Sequence, residues 1–225
     1  MAWFYAMLLC CNFTLGVKNS HVRKQLGLGH KSTHRLCNQI RLQMAARCSV
    51  NRLGGEGKLV HIDEVHVKYI RNESTRSAST AIVLGLACEG HIRAGIVVNR
   101  RRATLLAEIE RMVIPGSTIV TDRHQSYHCL SKLGWDHIKI DHSRAFHNFH
   151  GVTNNPIESY WALLKRNLRS YRQVGEENLW LFLAEIQFKN EARKRGGSPF
   201  NHLIQSFPDI SVDPLNSIRR QFDWR

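Results

Sequence analysis

The sequence predicts a sheet covered by helices, of the α/β or α+β class, preceded by a small helical region with a helix-turn-helix. Three patterns predict it. The first 48 residues read as helical, three strand-like runs follow in series from Lys58, and helical and strand-like segments then alternate before a long helical stretch. At 225 residues, 43% hydrophobic and 22% charged, the chain is neither disordered nor collagen-like, and it is long enough for one large domain or a small and a medium one.

Residues 1 to 48 open with an apolar helical segment, Trp3 to Thr14. Ser20 to Leu26 reads as a short helix with Val22 and Leu26 turned inward, Gly27-Leu28-Gly29 as a turn, and Lys31 onward as a second helix with Leu36 and Ile40 buried. Two short helices joined by a glycine-containing turn fit a helix-turn-helix, whose second helix would present Lys31, Ser32, Thr33 and Arg35 to DNA. An ordinary helical hairpin is the plainer reading of the spacing, and the charge balance tips it toward DNA. Gly54-Gly55-Glu56-Gly57 reads as a linker.

Strands are expected at Lys58 to Asp63, Thr80 to Ala87 and His91 to Val98, then a helix from Ala103 to Val113 and a turn at Pro115-Gly116. A strand at Thr118 to Thr121, a helix near His124 to Leu133 and a strand at His137 to Ile140 follow. From Asn155-Pro156 the chain is expected to be mainly helical to about Arg195. The organisation expected is a DNA-binding region at 1–48, a catalytic domain at 58–195 and a tail at 196–225.

Lys and Arg number 32 against 18 Asp and Glu, a net charge of +14 with a pI near 10.0. Such a surplus calls for a polyanionic partner, nucleic acid or an anionic membrane. No apolar run reaches the roughly 20 residues that span a bilayer, and Met1 to Cys11 is too short and lacks the basic start of a signal peptide. The expectation is a soluble intracellular protein that binds nucleic acid. None of the six cysteines sits in a C-x-x-C pair, so they read as reduced, mostly buried thiols rather than zinc ligands or disulfides.

In so basic a chain, acids at the ends of apolar runs need a reason. Asp63 follows Leu59-Val60-His61-Ile62, Asp122 follows Ser117 to Thr121, and Glu158 opens the helix beginning at Pro156. Each aspartate is expected at or near a strand end. Three carboxylates on separate elements can bind two magnesium ions, which prefer hard oxygen ligands and can activate the attacking and stabilise the leaving oxygen of a phosphodiester. Lys165, seven residues after Glu158 and close to two helical turns on, projects from nearly the same face and could hold a DNA phosphate. Bland roles exist as well: Asp122 as an N-cap, and Asn155-Pro156-Ile157-Glu158 as a capping box. Asp63 has the weakest bland explanation.

Ile62-Asp63-Glu64, Pro115 to Asp122, and Asn155-x-Ile157-Glu158-Ser159-x-Trp161-x-Leu163-Leu164-Lys165-Arg166 together resemble the insertion-sequence DDE transposases of the ISXO type, relatives of the eukaryotic Merlin elements. The resemblance covers roughly residues 15 to 195, including the Ile40-Arg41-Leu42-x-Met44 exit of the helix-turn-helix. It implies an RNase-H-like fold and cut-and-join chemistry on double-stranded DNA, with two Mg²⁺ (or Mn²⁺) ions held by Asp63, Asp122 and Glu158. Their separations, 122 − 63 = 59 and 158 − 122 = 36, are in keeping with such a core. Asn155 and Lys165 match polar positions around the third acid, and Lys165 and Arg166 become further DNA contacts. The partners implied are transposon ends, target DNA and a second copy of the chain, with a nucleoid location in a bacterium or a nuclear one in a eukaryote.

The family usually begins with a Cys-rich zinc ribbon, so a truncated copy is expected. Lys68-Tyr69-Ile70 stands where the family commonly has Gly-Gly, and Thr153 where it often has His. A second reading of the same residues is a remnant that binds DNA without cutting it. A third, an RNase H-type nuclease acting on hybrids, leaves the helix-turn-helix without a role.

Other residues read more plainly. His142, His147 and His150 beside Asp141 match no usual zinc spacing and read as contacts to phosphate or water. Trp161, Leu164 and Leu168 recur at helical spacing and read as core. Arg100-Arg101-Arg102 reads as a solvated or DNA-facing run, and Tyr127 and Tyr160 as packing residues with wet hydroxyls.

Overall fold

A computed structural model of the chain describes residues 2–48, 51–72, 77–140, 155–171, 174–205 and 215–225. The chain divides into two compact units, one formed by residues 1–49, 68–79 and 163–222, the other by 50–67, 80–162 and 223–225.

The second unit holds most of the sheet. A short β1 (Leu53–Gly54) pairs in parallel with β5 (Val113–Ile114). The main sheet has five strands: β2 (Leu59–Asn72), β3 (Ser77–Cys88), β4 (His91–Val97), β6 (Thr118–Thr121) and β7 (Asp136–Lys139). Their order is β4-β3-β2-β6-β7, with β3 and β4 antiparallel and β6 parallel to both β2 and β7. This mixed sheet with flanking helices is the RNase-H-like arrangement.

Alternation along each strand sends successive side chains to opposite faces. Val60 and Ile62 of β2, Leu84 and Leu86 of β3 and Ile119 of β6 share one apolar core with Leu105, Ile109 and Met112 of α4 (Arg102–Met112) and with Tyr127 and Leu130. Gly85 falls on the other face, where a Cβ would stand 2.4 Å from the Trp161 ring and 2.8 Å from Ile157. Glycine there lets the first half of α5 (Asn155–Tyr171) lie directly on the sheet.

Three sequence expectations change in this unit. Gly54 to Gly57 is not a free linker: Gly54 belongs to β1, the Gly55 amide donates to the Ser117 hydroxyl at 2.8 Å, and a Cβ on Gly54 would collide with that hydroxyl. The helix expected near His124 to Leu133 is two 3-10 turns, Gln125–Tyr127 and Ser131–Leu133, closed by Gly134 at φ 86°. Asp63 does not end its strand, because β2 continues nine residues further, to Asn72, through the buried Val65 and Val67.

The first unit is helical: α1 (Ala2–Asn12), α2 (Asn19–Leu26), α3 (His30–Arg47), α6 (Leu179–Lys194), α7 (Pro199–Ile204) and α8 (Leu215–Arg220). Gly27, at φ 64°, caps α2 with its amide on the Arg23 carbonyl and turns the chain into α3, as the helix-turn-helix reading expected. The long α3 packs along α6. Between them lies a buried ionic cluster. Arg41 Nε donates to Glu185 Oε2 at 2.8 Å, while the Tyr171 hydroxyl (2.7 Å) and the Lys189 ammonium donate to Oε1. The Arg41 guanidinium also lies over the Phe182 ring at 4.1 Å. Burial favours a neutral Glu185, yet Lys189 and Arg41 outweigh it and hold the carboxyl down at about 2.

The expected C-terminal tail is structured where it is described. It contributes α7 and α8, and Trp224 donates its amide to the Ile96 carbonyl at 2.8 Å and packs on Gly95 of β4. The six cysteines carry free thiols, five of them buried.

Candidate active site

The sheet brings Asp63 and Asp122 together. Leu59 faces Thr118 and His61 faces Val120 across the parallel β2–β6 pair. Continuing that register by two residues sets Asp63 opposite Asp122, one residue past the last of β6. The acids share the sheet face that carries α5. The strand end that opens this site is therefore that of β6 alone; β2 runs past it.

Asp63 is half-buried. Burial pushes its carboxyl up to about 6, against a hydrogen bond from the Glu64 backbone and another from Trp161 that favour the anion; the charges of Glu64 and Asp122 add to the rise. Trp161 Nε1 donates to Asp63 Oδ2 at 2.9 Å. Asp122 Oδ1 accepts the His124 amide at 2.9 Å, a local turn bond and not the expected helix cap: the 3-10 turn that follows is capped by His124, whose ring accepts from the Ser126 amide.

Glu158 lies in the first turn of α5, three residues before Trp161 and thus one turn away on the same side. It is exposed. Among the described residues no three His, Cys, Asp or Glu side chains stand close enough to hold a metal ion. Lys165 and Arg166 are exposed further along α5, with Lys165 two turns from Glu158. The chemistry of the acid pair fits a divalent cation: both are hard oxygen donors, and burial, with the charge of Asp122 adding to it, pushes the Asp63 carboxyl up.

A family model described as "ISXO2-like transposase domain" matches residues 52–191, well over half of the chain. The chain belongs to the ISXO2-like transposase family. An "Uncharacterized transposase-like protein" of Haemophilus influenzae is 33% identical to it over 94 residues, which cover 42% of this chain and 76% of that protein. No helix among the described residues is long and apolar enough to cross a membrane.

Behind the acid pair this transposase carries residues that sequence patterns missed. Glu64, one residue from Asp63, turns to the opposite face, where its side chain is 1% exposed and pairs with Arg100 at 3.3 Å. Arg100, expected in a solvated or DNA-facing run, is thus half-buried and paired with this carboxylate. Tyr127 is fully buried, not wet at its hydroxyl, and burial together with the charges of Glu64, Asp122 and Asp63 keeps its phenol strongly protonated. Trp161, expected as core alone, is core and carboxylate partner at once. Its helical spacing signalled the first role, and nothing in the sequence signalled the second.

On α3, Lys31, Ser32 and Arg35 are exposed near the N-terminus. Thr33 is not: it is 1% exposed, and its hydroxyl donates to the Gly29 carbonyl at 2.9 Å, so it braces the helix start rather than facing DNA. Asp141, His142, His147, His150 and Thr153 lie outside the described residues.

Proposed function

We propose that this transposase cuts and joins DNA strands with divalent metal ions, Mg²⁺ or Mn²⁺, held by Asp63 and Asp122 with Glu158 as the third acid. The observation that supports this reading most is the pairing of Asp63 with Asp122 at the end of β6, with the Asp63 carboxyl pushed up to about 6 beside it. Two such ions would activate the attacking oxygen and stabilise the leaving one in phosphodiester displacement. Lys165, on the Glu158 face of α5, would hold a DNA phosphate beside them. Water would cleave at the element end, and the freed 3′-hydroxyl would then attack target DNA without a covalent protein–DNA intermediate. Lys31, Ser32, Arg35 and Arg166 supply exposed contacts for double-stranded DNA, and two element ends would be paired by an oligomer of this chain.

The test is cleavage and strand transfer on DNA carrying the element ends, with Mg²⁺ or Mn²⁺. Asp122→Asn and Glu158→Gln should each abolish both reactions and leave DNA affinity within about twofold, as expected for ligands that touch the ion rather than the backbone. Wild-type activity in either variant removes that residue from the site. A silent DNA-binding role is the second reading, favoured by the finding that, among the described residues, no three such side chains stand close enough to hold a metal ion. Metal-independent binding without cleavage by the intact chain would establish it.

DNA binding itself should be steeply salt-dependent. With a net charge of +14, several Lys and Arg contacts to phosphate are expected, each releasing counterions. A titration between 50 and 200 mM salt should weaken binding by roughly 10³-fold for about six phosphate contacts. A flat response would locate the binding energy elsewhere.

A further inference from the structure

We propose that Trp161 is a positioning residue that ties the strand of the first acid to the helix of the third. The inference rests on the metal reading of Asp63 and Glu158 given above. Four observations carry it. The indole nitrogen is a donor only, and it donates to Asp63 Oδ2 at 2.9 Å, leaving the other oxygen unclaimed by the ring. The ring is 5% exposed and sits where β3 has no side chain: a Cβ on Gly85 would come within 2.4 Å of Cη2 and 2.6 Å of Cζ2. Ile157 of the same helix fills the neighbouring space, 2.8 Å from that same Cβ position. Glu158 lies one helical turn before Trp161.

A rigid indole with two torsions, slotted over a glycine and bonded through its one polar atom, fixes two things together. It selects one rotamer of Asp63, and it sets the rotation of α5 about its axis, hence the side of the helix on which Glu158 approaches the Asp63–Asp122 pair. A side chain that served packing alone would need no acceptor at Asp63; phenylalanine or leucine would fill the slot. Partners that orient metal-binding carboxylates in this way typically matter 10- to 100-fold in metal affinity.

The test is Mn²⁺ binding by calorimetry on the full chain, with cleavage kinetics alongside, for wild type, Trp161→Phe and Asp63→Asn. Trp161→Phe keeps the ring against Gly85 and removes the donor. It should weaken Mn²⁺ binding by roughly 10- to 100-fold, lower kcat at limiting metal, leave KM for DNA unchanged, and recover activity as Mn²⁺ is raised. A merely structural role would lower the melting temperature without moving metal affinity. If wild type binds Mn²⁺ and Trp161→Phe binds it equally well, the positioning role is overturned and the metal reading stands. If wild type binds no Mn²⁺, the metal reading fails and this proposal with it. Should Trp161→Phe fail to fold, the indole N–H resonances of the wild-type protein decide: one of them should shift on adding Mg²⁺ and lose that response in Asp63→Asn. No Mg²⁺-responsive indole overturns the proposal.

Discussion

Asp63→Asn is expected to raise the melting temperature of the metal-free protein while abolishing DNA cleavage. The two effects share one cause. In the folded chain the carboxyl titrates near 6 rather than at its ordinary 3.8, because burial and the charges of Glu64 and Asp122 oppose its ionisation. The folded state therefore binds the proton more tightly than the unfolded state, and stability is lost as pH rises through the interval from about 4 to about 6. At pH 7 the penalty is on the order of 2 kcal/mol, given 1.36 kcal/mol per pKa unit and partial exposure. Asparagine escapes it, so a melt in chelator at pH 7 should rise by about 5 °C, at roughly 2–4 °C per kcal/mol for a chain of this size. The difference between variant and wild type should vanish below about pH 4, where both side chains are neutral. Mn²⁺ should stabilise wild type and not the variant. Cleavage should fall by about 10³-fold or more, since a metal site supplies several kcal/mol of transition-state stabilisation. An Asp63→Asn protein less stable than wild type in chelator would show that the hydrogen bonds to the carboxylate outweigh the cost of burying it, and would overturn this expectation.

Glu185→Ala should destabilise the helical unit by about 3–5 kcal/mol, the cost of leaving buried cations without their anion. Arg41 and Lys189 both direct their charge at this one carboxylate, and the side chains of all three are at most 2% exposed. A fall of roughly 10 °C or more in melting temperature follows. The same group sets an acid limb. Its carboxyl is held at about 2, below its ordinary 4.5, so its contribution is complete above about pH 4.5 and is lost as pH falls toward 2. Glu185→Gln keeps the shape and removes the charge; its stability should change less over that interval than that of wild type. Equal acid sensitivity in the two would assign the acid limb to other groups.

The candidate acids stood out in the sequence by their setting. Apolar β-branched runs before Asp63 and Asp122 mark buried strands, and an acid beside such a run has few structural uses. Periodicity likewise marked α1 to α4 and the five principal strands of the sheet to within a few residues, apart from the long extension of β2. It misread His124 to Leu133, because a helical apolar pattern says nothing of a carboxylate that captures the His124 amide at the entry, or of Gly134 closing the exit at positive φ. It could not show that Thr33 turns inward, since a threonine bonded to the carbonyl four residues back looks, in sequence, like one facing solvent.

Read as a string, the chain already declared its composition class, its basic charge, its order of strands and helices and the positions of its candidate acids, all of which depend on local pattern, while its resemblance to a family implied the RNase-H-like fold. Which groups meet was settled by folding alone. A parallel pair such as β2 and β6 joins segments some sixty residues apart, and its register has no trace in either strand taken singly. The pairings of Trp161 with Asp63, Arg100 with Glu64 and Arg41 with Glu185 are of the same kind. Each joins residues far apart in sequence, where periodicity carries no information and only packing brings donor to acceptor.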